Sequence, residues 1–199
     1  MKAGWIQRLR GNREIYYFDS GMEFEAEVCA STLYDLIRGI VREEGKEGVV
    51  FLCIGTDRST GDSLGPLIGY KLKEQRIRKA RIVGTLDSPV HAMNLEQSVA
   101  MVKLRYPNHV IVAVDASVGS QDHVGYITLG KGALRPGLGV SKNLQEVGDI
   151  FITGIVGGCG SYDPLMLQSV RLSMVMKMAD CICESIFLVE QFWENAASF

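Results

Sequence analysis

The sequence predicts an α/β protein, a mostly parallel sheet with helices on both faces, and three observations carry that expectation. Strand-like and helix-like patterns alternate along most of the chain, as they do in parallel sheets built from right-handed crossovers. Two runs, Val49-Val50-Phe51-Leu52-Cys53-Ile54 and Val110-Ile111-Val112-Ala113-Val114, are apolar at every position, which suits strands buried on both faces. Each run then breaks into a polar segment that carries an aspartate, Asp62 after the first and Asp115 after the second. Ligands of such sheets bind beyond the carboxyl ends of the strands, so both acids fall where function is expected.

The elements come in order along the chain. Residues 1–30 read as an N-terminal extension, polar and irregular except for a short edge strand over residues 14–18. Leu33, Leu36, Ile37, Ile40 and Val41 repeat at helical spacing until Gly45 ends the pattern. After the first core strand, Pro66 fits only the first turn of a helix, and Leu64, Leu67, Ile68 and Leu72 supply its apolar face. That helix starts near Ser63, with Ser63 or Asp62 as its cap. A strand over residues 81–86 leads into the loop 87–91, and a helix over residues 94–105 is closed by Pro107. The second core strand ends in Asp115-Ala116-Ser117, a strand over residues 124–129 comes next, and residues 130–139 form a long glycine-rich loop. A strand over residues 149–156 and one long helix over residues 164–193 complete the chain, with Leu167, Val170, Met174, Met178, Ile182 and Ile186 on one helix face. Those methionines read as core filler. No repeat, linker or low-complexity tract interrupts the 199 residues, so a single domain is expected.

Composition narrows the function classes. A formal charge of −2, with Lys and Arg scattered along the chain, leaves no basic stripe for nucleic acid. The five cysteines have no paired Cys-x-x-Cys spacing and sit mostly in apolar runs, the usage of buried thiols in a reducing compartment. No run has the length of a membrane span and the N-terminus lacks the apolar core of a secretory signal, so a cytoplasmic protein is expected.

The glycine-bounded loop after the first strand suggests phosphate binding, and its spacing argues against it. Five residues separate Gly55 from Gly61, Asp62 stands where a phosphate loop has lysine, and Gly-x-Gly-x-x-Gly cannot be laid on Gly55, Gly61 and Gly65. If the two core strands are near neighbours, Asp62 and Asp115 converge instead. Two close carboxylates resist ionising together, so one keeps its proton and the pair offers an acid and a base at once. That suits water-mediated hydrolysis of an amide. The competing reading is two unrelated structural caps.

The segments Gly55-Thr56-Asp57-Arg58-Ser59-Thr60-Gly61-Asp62-Ser63-Leu64-Gly65-Pro66, Val112-Ala113-Val114-Asp115-Ala116-Ser117 and Arg135-Pro136-Gly137-Leu138-Gly139-Val140 resemble those of the bacterial spore germination protease. They resemble more closely still the shorter germination-protease-related sporulation proteins, the YyaC-like group, with an overlap of about residues 48–190. The resemblance implies the three-layer α/β/α sandwich shared with hydrogenase maturation endopeptidases, and an atypical aspartic-type peptidase with Asp62 and Asp115 as the catalytic pair. Thr56, Asp57, Ser59, Ser63 and Ser117 beside the acids, His91 on its loop, and Pro136 and Gly137 on the glycine-rich loop are the substrate-binding candidates. The hydrogenase endopeptidases use a later-loop histidine to help hold nickel; none stands around Pro136-Gly137-Leu138, so neither a metal site nor a cofactor is expected. Expected partners are a protein or peptide substrate, small acid-soluble spore proteins among them, and a second copy of the chain in a homo-oligomer. The alternative is a non-catalytic relative that binds a peptide or small molecule in the same crevice.

Overall fold

The structure, a computed structural model, describes residues 5–9, 13–21, 23–75, 77–136, 144–158 and 166–196. Its centre is a seven-stranded mixed sheet of order β1-β2-β6-β7-β5-β3-β4, with β1 Trp5–Leu9, β2 Arg13–Asp19, β3 Gly48–Cys53, β4 Ala80–Val83, β5 His109–Gly119, β6 Tyr126–Lys131 and β7 Ile150–Gly158. The helices are α1 Ala26–Glu44, α2 Leu64–Glu74, α3 Leu95–Arg105, α4 Met166–Ser169 and α5 Leu172–Ala196. The pairings β4–β3, β3–β5 and β5–β7 are parallel, and β7–β6, β6–β2 and β2–β1 are antiparallel. Five strands therefore run one way, and β1 and β6 oppose them.

Alternation within the two apolar runs divides the core into two layers. Val49, Phe51 and Cys53 of β3 join Val110, Val112 and Val114 of β5 against α1, α2 and α5. Val50, Leu52, Ile111 and Ala113 pack on the opposite face against Leu95, Val99 and Val102 of α3. Every residue from Val49 to Ile54 is buried, which explains why neither face carries a polar side chain: each fully buried Val, Leu, Ile or Phe contributes about 1.5–3 kcal/mol. Gly45 ends α1 in the left-handed conformation at φ 67°, as its position in the sequence predicts.

Several elements depart from the sequence expectation. The strand over residues 14–18 is β2, which is not an edge strand, because β1 pairs along its outer side. β4 stops at Val83 rather than running to residue 86, since Gly84 turns the chain at φ 88°. β5 runs on past Val114 to Gly119, held by pairing with β7. β6 starts at Tyr126, after Gly125 at φ 93°, and ends at Lys131, which takes Gly130 and Lys131 out of the expected loop. Asp149 precedes β7 and works as a tether, its carboxylate accepting from the Ile111 N–H at 2.8 Å and from Lys46 Nζ at 2.7 Å. The terminal helix is two helices, broken at Val170 and Arg171. Residue 164, its expected start, lies outside the described residues.

The connections decide where a crevice can form. α2 carries the chain from β3 to β4 on one side of β3, whereas β5 leads to β6 and β7 on the other. Adjacent parallel strands whose connections diverge leave an opening at their carboxyl ends. Asp62 lies just beyond β3 and Asp115 lies on β5, at that opening.

Candidate active site

The loop after β3 is shaped by glycines that nothing else can replace. Gly55 has φ 138°, and a Cβ there would collide with the main-chain oxygen of Asp62; at Gly65 it would collide with the carbonyl of Ile54. With those approaches open, Thr56 N–H donates to the Asp62 carbonyl at 3.1 Å, and the Ser63 N–H and hydroxyl donate to the Thr60 carbonyl at 3.3 and 2.7 Å. Residues 61–63 form one 3-10 turn leading into α2. Neither Asp62 nor Ser63 caps a helix through its side chain, contrary to the capping expectation, because the helical conformation already begins at Thr60 and leaves no extended cap position.

Asp115 stands opposite Thr153 of β7 and is 4% exposed. Its Oδ1 accepts from the Ala116 N–H at 2.8 Å. Burial first, and then the charge of Asp62, push its carboxyl well above the ordinary range, with the Ala116 N–H opposing. Asp62 is half-buried, and burial raises its carboxyl too, outweighing the opposing Thr56 N–H and the nearby His91. The direction is clear from the surroundings: Asp62 ionises first and its charge falls on Asp115, which keeps the proton.

His91 arrives from the other side. Thr85 and Ser88 close the turn after β4, the Thr85 N–H donating to the Ser88 carbonyl and the Ser88 N–H to Thr85 Oγ1. Val90 then bridges to Ile54, and its carbonyl accepts from the Gly55 N–H at 2.8 Å. Asn94 fixes the turn around His91, accepting from the His91 N–H at 2.8 Å and donating to the Pro89 carbonyl at 3.0 Å. The Met93 N–H donates to His91 Nδ1 at 3.3 Å.

The other expected residues divide. Thr56 and Ser59 are half-buried on the same loop, and Asp57 is exposed. Ser59 Oγ is buried without a hydrogen-bond partner among the described residues. Ser63 and Ser117 use their hydroxyls on the protein itself: Ser117 donates to Thr153 Oγ1 at 3.0 Å, and Thr153 Oγ1 lies 2.6 Å from Thr128 Oγ1. Pro136 is buried; Gly137 is outside the described residues. Among the described residues, no three His, Cys, Asp or Glu side chains are grouped to hold a metal ion, and no helix is long and apolar enough to cross a membrane. Thr153 and Asn94 are the residues sequence reasoning missed. A threonine inside the apolar run of β7 was the available signal for the first; the second stood only as the start of the expected helix over residues 94–105.

Comparison with known proteins gives the family and the fold. The family model described as a protein of unknown function, DUF1256, matches residues 22–185. An uncharacterized protein YyaC from Bacillus subtilis (strain 168) is 41% identical over 163 residues, spanning 82% of this chain and 80% of that protein. The crystal structure of a NiFe hydrogenase maturation protease HycI from Thermococcus kodakarensis KOD1 superposes with a TM-score of 0.53 at 19% identity, covering 80% of this chain and 99% of that one. At that identity the likeness is one of fold, and the fold is the α/β class that the sequence predicts.

Proposed function

The chain belongs to the DUF1256 family, and from that premise we propose that it is a hydrolase of peptide bonds, an atypical aspartic-type endopeptidase working through Asp62 and Asp115. The observation that carries the reading is the unequal pair: Asp115, 4% exposed and raised by burial and by the charge of Asp62, beside a half-buried Asp62 on the neighbouring loop. Asp62 takes a proton from a water molecule as its oxygen bonds to the substrate carbonyl carbon. Asp115 gives its proton to the carbonyl oxygen. The tetrahedral intermediate then collapses, the C–N bond breaks, and the proton gathered on Asp62 passes to the departing nitrogen while Asp115 recovers its own from the oxygen. His91, beside Asp62, favours the ionised form of the base. Thr56 and Ser59, half-buried on the loop that carries Asp62, and the exposed Asp57 are the substrate-binding candidates.

The substrate class in this reading is a protein or peptide, and the resemblance of three segments to the spore germination protease makes small acid-soluble spore proteins the first to test. The test is to incubate them with the wild-type chain and with Asp62→Asn and Asp115→Asn, and to read fragments by mass spectrometry. Fragments from the wild type alone support the reading. Intact substrate that nonetheless stays bound to all three proteins favours a non-catalytic relative using the same crevice.

A further inference from the structure

Helix α3 has one face on the sheet and a second that nothing in the chain covers. Leu95, Val99 and Val102 pack against β3 and β5, with Ser98 buried between them. On the opposite side Gln97, Ala100, Met101 and Leu104 are all exposed. Leu104, and Met93 in the turn before the helix, are each 86% exposed, more than any other large apolar side chain among the described residues, and Met101 follows at 56%. Gln97, Ala100 and Leu104 are spaced three and four residues apart, which is the seam of a helix that packs on another helix. The small side chain at the middle of that seam lets two helix axes approach to about 8–10 Å. Apolar groups gathered on one surface in this way mark an interaction site.

The charges beside the seam say which partner fits. Glu96 in the first turn and Lys103 in the last lie one heptad apart on the same flank, roughly 10 Å along the axis. Neither makes an ion pair among the described residues. When two copies of such a helix pack antiparallel, equal flanks face each other, so Glu96 of each meets Lys103 of the other. Packed parallel, Glu96 would lie beside Met101 of the second copy and the charges would go unanswered. We infer that α3 docks antiparallel on α3 of a second copy of this chain, about a two-fold axis beside Ala100, with Leu104 and Met93 of opposite copies in contact at each end. The same patch serves both sides, so the contact closes at a dimer. One face of a three-turn helix buries less than the roughly 1,200–2,000 Å² of tight complexes, and the dimer is accordingly reversible, with Kd on the order of 10 µM. The inference does not rest on the hydrolase reading.

Sedimentation equilibrium of the full-length chain from about 1 to 300 µM is the test, and the wild type should pass from monomer to dimer across that range. Leu104→Lys should weaken association at least about a hundredfold, because the side chain is lost from both ends of the contact. Glu96→Lys and Lys103→Glu should each weaken it about tenfold, since either one sets like charges against each other at two places. An equimolar mixture of those two variants should associate again, because every contact in the mixed pair joins unlike charges. All three residues are exposed, and thermal melts of the variants at low concentration should match the wild type. A wild-type chain that stays monomeric throughout, a dimer that survives Leu104→Lys, or a mixture no more associated than either variant alone would each overturn the inference.

Discussion

Replacing Asp115 with Asn should stabilise the protein, and by an amount that grows with pH. In the folded chain Asp115 is buried beside Asp62 and holds its proton well above the ordinary carboxylate range; in the unfolded chain it ionises near pH 3.9. Between those two points the native state binds one more proton than the unfolded state. Unfolding is then favoured by about 1.4 kcal/mol for each pH unit gained. The sign is that of a raised carboxyl: its contribution is fully present below the unfolded value and is lost as pH rises toward the folded one. The wild type should lose that much relative to Asp115→Asn over each unit between the two values, and at about 2–4 °C per kcal/mol for a chain of this size the gap in Tm should widen by about 3–6 °C per unit. Asparagine keeps an oxygen for the Ala116 N–H, so the variant loses no hydrogen bond there. Paired urea and thermal melts across that range read the effect directly. A pH-independent gap, or a variant less stable than wild type throughout, would refute the reasoning.

Ser59→Ala should leave stability unchanged or raise it by up to about 1 kcal/mol in urea melts, because its buried hydroxyl has no partner among the described residues to lose. Gly55→Ala should destabilise by at least about 1–3 kcal/mol, since φ 138° is strained for any side chain and the new Cβ meets the Asp62 carbonyl; a fully folded variant with an unchanged melt would contradict the loop geometry. Cys29, Cys181 and Cys183, whose thiols burial pushes up to about 12, 11 and 12, and Cys53, pushed higher still, should resist iodoacetamide at pH 8 until the chain unfolds, as peptide mapping will show.

The range of each interaction decides whether its residues announce it. β3 and β5 are legible because burial on both faces removes every polar residue from them, and Gly45 because only a left-handed end to α1 needs it. The length of β5 was hidden, since Asp115 and Ser117 look like a loop until Thr153 and Ile155 pair with them across the sheet. β1 was hidden for the same reason: Ile6 and Gln7 become a strand by pairing with Tyr16 and Ile15, and five residues of mixed polarity announce nothing alone. The break between α4 and α5 falls inside an apolar period that continues on both sides of it. For the site, the two acids were legible from their strands, but bringing His91 beside Asp62 takes the long-range bridge from Val90 to Ile54. Ser63 and Ser117 have the right composition for binding and the wrong direction, turned toward Thr60 and Thr153.

The measurement that bears most directly on the account is cleavage in water enriched in oxygen-18, with wild type, Asp62→Asn and Asp115→Asn compared on one pool of spore-protein and random peptides. If Asp62 activates water and Asp115 protonates the carbonyl, the wild type will place one heavy oxygen in each new C-terminus. Both variants, folded by their melts, will lose at least about a hundredfold in rate. Labelled products formed equally fast by either variant would contradict the acid pair as the catalytic centre.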